Sequence, residues 1–319
     1  MTASTPGSVR ARHRNIMLKR GVRVATASRR AAGRLSLALA AAGMVLATPA
    51  GAGSAAQPGG SIGIPAGAQI PVGLYFVAVP NYGVRPTFPA SSDLNVNTAT
   101  FALSTPWSVL GARLQFIVFN RSAVSASARG APSSTGLGQS LYATQLAWNL
   151  GNDVGVSYFL GGYVPNSTRF GPQEGSLSHR FAVSYTGNGY NLTANLLYGH
   201  FLTDRALNGT RAFPDYLNID LTATKRFGKF EFGPVAYAST DLPVGNVAGY
   251  RRQSQLAVGG LVGYNFGPVN VQAYITRDVA ERHYGGQETR GWARLIVPIW
   301  QDKGEVAPNR TLVTRQQGQ

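Results

Sequence analysis

The chain has 319 residues, of which 13% are charged and 10% aromatic, with 39 glycines and no cysteine. A soluble domain carries about a quarter charged residues, and a spanning helix needs roughly 20 consecutive apolar ones; this sequence meets neither description. Missing Cys excludes disulfides, thiol chemistry and Cys-based zinc sites, and the net charge of +16 must be located before it is read as affinity for nucleic acid.

Much of that charge sits at the start. Residues 1–52 hold nine Lys or Arg and no acid, and removing them lowers the net charge from +16 to +7. Nucleic acid is therefore not the expected partner. Within this stretch Leu35–Ala47 is apolar and short, and Ala50-Gly51-Ala52 follows it. A basic region, a short apolar core and an A-x-A-like site make 1–52 a signal peptide, with cleavage between 50 and 56. A retained anchor is the alternative, and Met17 is a second candidate start. Residues 53–70 are mainly Gly, Ala, Pro and Ser, which predicts a flexible segment.

From 71 to 300, apolar and polar residues alternate with period two, the pattern of strands with two different faces. The clearest run is Tyr216 to Phe227, where Leu217, Ile219, Leu221 and Ala223 oppose Asn218, Asp220, Thr222, Thr224 and Arg226. Tyr190–Tyr198 and Gln253–Phe266 behave likewise, and Leu110, Leu114, Phe116 and Val118 face away from Arg113 and Gln115. With weaker segments at 72–82, 93–104, 140–150, 153–164, 178–186, 229–240, 269–280 and 289–300, twelve strands are predicted.

Their connections alternate in length. Short ones fall at Ser104–Ser108, Gly151-Asn152, Gly187-Asn188-Gly189, Gly228-Lys229 and Gly267-Pro268; long ones fall near 83–92, 121–139, 165–177, 203–214, 241–252 and 281–288. Short turns at one end and long loops at the other are the habit of an antiparallel transmembrane barrel of the outer-membrane type. Tyr190 and Tyr198, eight residues apart on one apolar face, span about 20 Å of membrane normal at a tilt near 40°. The predicted fold is thus all-β, an outer-membrane β-barrel of about 12 strands over 71–300, followed by a polar tail, 301–319. A soluble periplasmic ligand-binding barrel is the competing reading.

Several segments resemble a known family. They are Phe213–Lys229 with Glu231-Phe232-Gly233-Pro234-Val235, Val262–Val269, Thr276-Arg277-Asp278-Val279 and Arg294–Trp300, with Val72–Tyr75 and Leu110–Arg113 fitting more loosely. They are similar to the transporter-like outer-membrane proteins of the MetA-pathway of phenol degradation family. The resemblance implies an outer-membrane barrel associated with uptake of aromatic or other hydrophobic compounds. It implies no catalytic residues. Outer-membrane barrels usually finish on an aromatic residue, so Trp300 is what the barrel assembly machinery would read, with the polar tail as a departure.

The inward polar face is the candidate functional surface: Arg113, Gln115, Asn191, Asn195, Asn218, Asp220, Arg226, Gln272 and Asp278. These residues either line a passage or form a network filling the lumen. Twelve strands enclose a lumen wider than eight and narrower than sixteen, which side chains, loops or the 53–70 segment would narrow. No plug domain of the size used in active uptake is visible, so passive diffusion is expected. A structural or adhesive barrel without transport is the alternative.

Nothing in the sequence reads as an enzyme. The four His residues are widely spaced, Ser178 and His179 point to opposite faces of a strand, and the Gly-rich pieces lack a dinucleotide-site context. No metal or cofactor is expected. The expected partners are outer-membrane lipid and lipopolysaccharide, a small hydrophobic or aromatic solute and the assembly machinery. Loop arginines at 85, 121, 129, 169, 205, 211, 251, 252 and 282 are candidates for lipopolysaccharide phosphates, with planar guanidinium suited to that contact; solvated loop charge is the alternative.

Overall fold

The computed structural model describes residues 54–165, 175–202, 214–243 and 251–302. The signal-peptide region, most of the polar tail, and Arg169, Arg205 and Arg211 lie outside them. The first strands are β1 Gly73–Arg85, β2 Ser92–Val109, β3 Ala112–Ser127, β4 Ser134–Leu137, β5 Ser140–Gly151 and β6 Val154–Val164. Then follow β7 Ser176–Tyr185, β8 Tyr190–Phe201, β9 Tyr216–Phe227, β10 Phe230–Asp241, β11 Ser254–Asn265, β12 Asn270–Arg282 and β13 Thr289–Gln301.

Twelve of these close into a barrel. Each is antiparallel to its neighbour, β3 pairs directly with β5, and β13 returns to pair with β1. The unpredicted β4 pairs only with the late part of β3, Ala123–Ala126, and stands outside the closed circuit. Closure gives each of the twelve a neighbour on both sides, which a sheet in hydrocarbon requires. A twelve-residue strand at about 3.3 Å per residue and a tilt near 40° rises about 30 Å, enough to cross a bilayer core.

The predicted break at Ser104–Ser108 is not a turn. It is a register shift within an 18-residue β2, and the chain reverses at Leu110-Gly111, both at positive φ. The Thr105 hydroxyl donates to the Leu114 carbonyl at 2.8 Å and carries the pairing across the irregularity. A second shift, between Phe101 and Ala102, places a bulge at Val118. Its effect is to reverse the alternation of β3: Gln115 and Ile117 face in before it, Asn120, Ser122 and Val124 after it. Bulges re-aim side chains in this way.

The outside is apolar. Val262 is 60% exposed, Ile275 59% and Phe181 55%, and such residues recur around the circumference. A monomer in water rarely exposes a contiguous apolar patch above a few hundred Å², so hydrocarbon is the matching solvent. At the turn end Trp107, Phe227, Phe230, Phe232, Phe266 and Trp300 are exposed, with Phe227 stacked on Phe232 and Tyr264 edge-on to Phe230 and Phe266. They form one aromatic girdle.

The inside is filled. Composition predicts a flexible 53–70, but Ser54–Ile70 run inside the barrel as a strap hydrogen-bonded to the wall. Short side chains make this possible, because a strap of Gly, Ala, Ser and Pro is narrow enough for a twelve-stranded lumen. Arg85 corrects another expectation. It belongs to β1, points inward and is 2% exposed, so it is not a loop charge available to lipopolysaccharide.

Candidate functional site: the strapped lumen

The strap is held by its backbone, since it has few side chains to offer. The Gly59 and Ser61 N–H groups donate to the two Asp220 oxygens at 2.8 and 2.9 Å, and the Ser61 hydroxyl adds a third bond at 2.6 Å. The Gly63 N–H donates to Thr222 Oγ1, while its carbonyl accepts from Asn191 and Gln272. Arg294 donates to the carbonyls of Gly60, at 2.7 Å, and Ile62. Between these polar ties Ile62, with no exposed surface, is pressed against Val79, Val235, Tyr237, Leu261, Tyr274 and Trp292. A buried Ile side chain contributes about 2 kcal/mol of transfer free energy, and each bond about 1 kcal/mol net.

Further along, the strap is tied to the wall toward the turn end. The Ala66 carbonyl accepts from Ser157 and Gln145, and Gln145 also donates to Gln115 at 3.1 Å. The Ile70 carbonyl accepts from Ser104 and Arg113. Gly67 lies directly on the wall: a Cβ there would meet the Ser184 nitrogen at 2.6 Å and the Gly155 oxygen at 2.7 Å. Only glycine fits that approach.

Eight of the nine predicted inward residues face the lumen interior. Arg113, Asn191, Asn195, Asn218, Asp220 and Gln272 all contact the strap, Asn218 through Ser54 and Ala56. Gln115 reaches the strap through Gln145. Asp278 accepts from the Glu288 N–H at 2.9 Å and sits 3.6 Å from Arg85, away from the strap. Arg226 has the inward parity but lies exposed at the turn end of β9. The partners of Asp220 come from the strap, the Gly59 and Ser61 N–H groups and the Ser61 hydroxyl.

Other lumen residues escaped the alternation. A knot of Arg85, Asp278, Glu288, Arg290 and Asn81 ties β1 to β12 and β13 at the loop end, with Arg290 Nε 2.7 Å from Glu288. Burial pushes the Glu288 carboxyl up, but the charges and hydrogen bonds of Arg290 and Arg85 outweigh it and hold the group below its ordinary value. Arg290 and Arg294 sit at alternate positions of β13, a signal visible in retrospect as R-x-W-x-R within an otherwise apolar strand. His179 and His200, far apart in sequence, stack at 5.6 Å on the outward face; no metal-holding cluster occurs among the described residues.

The strap does not fill the lumen evenly. Between it and the β1–β3 wall lies a cavity of about 560 Å³. It reaches from Arg85, Gln139 and Tyr284 at the loop end to Tyr75, Gln115 and Ile70 near the turn end. Val77, Val79, Leu94, Val96, Leu141 and Phe159 make much of its lining apolar, with Thr98, Asn120 and Ser122 as neutral polar groups. Pockets of this size and composition hold small organic molecules.

A closed antiparallel barrel with an apolar exterior and a strapped, partly hollow lumen defines a transmembrane β-barrel protein of the outer-membrane type. The profile of the family described as "Putative MetA-pathway of phenol degradation" matches residues 60–295, and the chain belongs to that family. Among solved structures it is similar to the COG4313 outer membrane channel from Pseudomonas putida F1, with a TM-score of 0.58 at 14% identity, covering 72% of this chain and 97% of that one. The translocator domain of autotransporter NalP from Neisseria meningitidis gives 0.39 at 13% identity, covering 73% and 90%. The CymD monoaromatic hydrocarbon channel gives 0.38 at 10% identity, covering 72% and 88%. No curated protein sequence matches the chain.

Proposed function

We propose that the chain is exported, with 1–52 removed as a signal peptide, and resides in the bacterial outer membrane as a passive channel for small hydrophobic or aromatic compounds. Its short turns face the periplasm and its long loops the exterior. The observation that carries this reading is the apolar-lined cavity running along the lumen; membership of a family described by phenol degradation agrees with it. Eight inward residues, Arg113, Gln115, Asn191, Asn195, Asn218, Asp220, Gln272 and Asp278, set the lumen's polar frame, and the first seven hold the strap directly or through a neighbour.

Under this reading the strap is the gate. It is tied to the wall from Ser54 through Ser61 to Ile70, so a solute passes along the cavity only when the strap shifts. A barrel without transport is the second reading, favoured by the strap's occupation of the lumen. The two are separated by a crosslink. The chain has no native Cys, and Ser61 Oγ lies 2.7 Å from Asn195 Nδ2, so Ser61→Cys with Asn195→Cys places two thiols where strap and β8 meet, and crosslinking is checked by gel mobility and thiol titration. In liposomes the oxidised pair should pass benzyl alcohol far more slowly than the native chain, with recovery on reduction. Equal flux in both states removes the gate; no flux from the native chain removes transport.

A further inference from the structure

Alternation on β7 turns Arg180 inward, in one row with Phe159 of β6 and Leu197 of β8. Its guanidinium lies over the Phe159 ring, 4.3 Å from the centroid, and lines the cavity. The other inward arginines have assigned partners: Arg85 and Arg290 share Glu288, Arg294 binds strap carbonyls and Arg113 binds Ile70. Arg180 takes part in none of the ion pairs among the described residues; the neutral phenol of Tyr163 lies within hydrogen-bonding reach of it, and its buried Nε, like those of Arg85 and Arg294, has no acceptor there. Asp220 carries the carboxylate that acts on Arg180, but it is held by Gly59 and Ser61 of the strap and lies beyond ion-pair distance of the guanidinium.

A cation in an apolar wall is costly unless an anion completes it. The surroundings specify which anion. Leu141, Phe159, Leu197 and the strap's Ala56 offer a dry surface beside the guanidinium, which suits a flat apolar body. A planar guanidinium suits a carboxylate, taken bidentately. We propose that this part of the cavity is a binding site for a small aromatic carboxylate, its ring against Phe159 and Leu197 and its carboxylate on Arg180. The proposal rests on the passage reading in one respect only, that the solute reaches the cavity from outside.

The test is equilibrium binding to the purified full-length barrel in detergent, comparing benzoate, benzyl alcohol and acetate by ligand-observed NMR. Benzoate should bind at least about tenfold more tightly than benzyl alcohol or acetate. In Arg180→Met that preference over benzyl alcohol should disappear, while Lys229→Gln, a charge lost from an exposed turn, should keep it. Heat-modifiable gel mobility reports whether each variant is folded, and the three-ligand comparison on the native chain needs no variant. Benzoate binding no tighter than benzyl alcohol, acetate equal to benzoate, or a preference that survives Arg180→Met overturns the site. Benzyl alcohol flux without benzoate preference overturns this site alone, whereas a barrel that neither binds nor passes any of them overturns the channel reading too.

Discussion

Asp220 illustrates how much one inward side chain decides. It alone accepts three hydrogen bonds from the strap. Asp220→Ala leaves two buried N–H groups unpaired, at a cost of about 3 kcal/mol, equivalent to roughly a hundredfold loss of protection. Amide hydrogen exchange at Gly59–Gly63 should show that loss, while strand amides far from the lumen keep their rates. Glu288 makes a pH-dependent contribution. Its folded pKa is lowered from an ordinary 4.5, so the stabilisation is fully present above that pH and lost as pH falls through the lower, folded value. The unfolding temperature should drop on acidification below about pH 4.5, and Glu288→Gln should both lower it at pH 7 and flatten the acid dependence. An acid limb unchanged in Glu288→Gln would place the dependence elsewhere.

At the scale of elements, the strap and the bulged β2–β3 pair matter most. The strap approaches β6 and β7 so closely at Gly67 that backbone atoms would block any side chain. Gly67→Ala should lift the Ala66–Ile70 portion from the wall and raise solute flux severalfold, with little change in barrel unfolding. The same substitution at Gly111, where an added Cβ meets open space, tests a different property, since that turn needs positive φ. Strands were legible because alternation between hydrocarbon and lumen is a local signal. The strap was not, because its Gly, Ala, Pro and Ser carry no periodicity, and its order comes from wall residues remote in the chain, among them Asp220, Thr222 and Arg294. The bulge at Val118 was hidden for a related reason: period two simply changes phase there, and only pairing with β2 shows it.

For the whole molecule, the exterior stripe determines where the protein is stable. Ile275, 59% exposed near the middle of β12, is predicted to face hydrocarbon. Ile275→Arg should destabilise the barrel in bilayers by about 2–4 kcal/mol, read as a fall in the denaturant midpoint of liposome-inserted protein. A negligible effect would mean that this face meets water.

From the residues alone came the twelve strands, their order, their outward faces and most of the polar frame, because each strand's two faces meet different environments and that contrast is written into neighbouring residues. The thirteenth strand, the bulged β2–β3 pairing, the burial of Arg85 and the threading of Ser54–Ile70 through the lumen depended on the tertiary structure. These are contacts between positions remote in the chain, and no local pattern encodes which carbonyl will meet Arg294 or which carboxylate will hold Gly59.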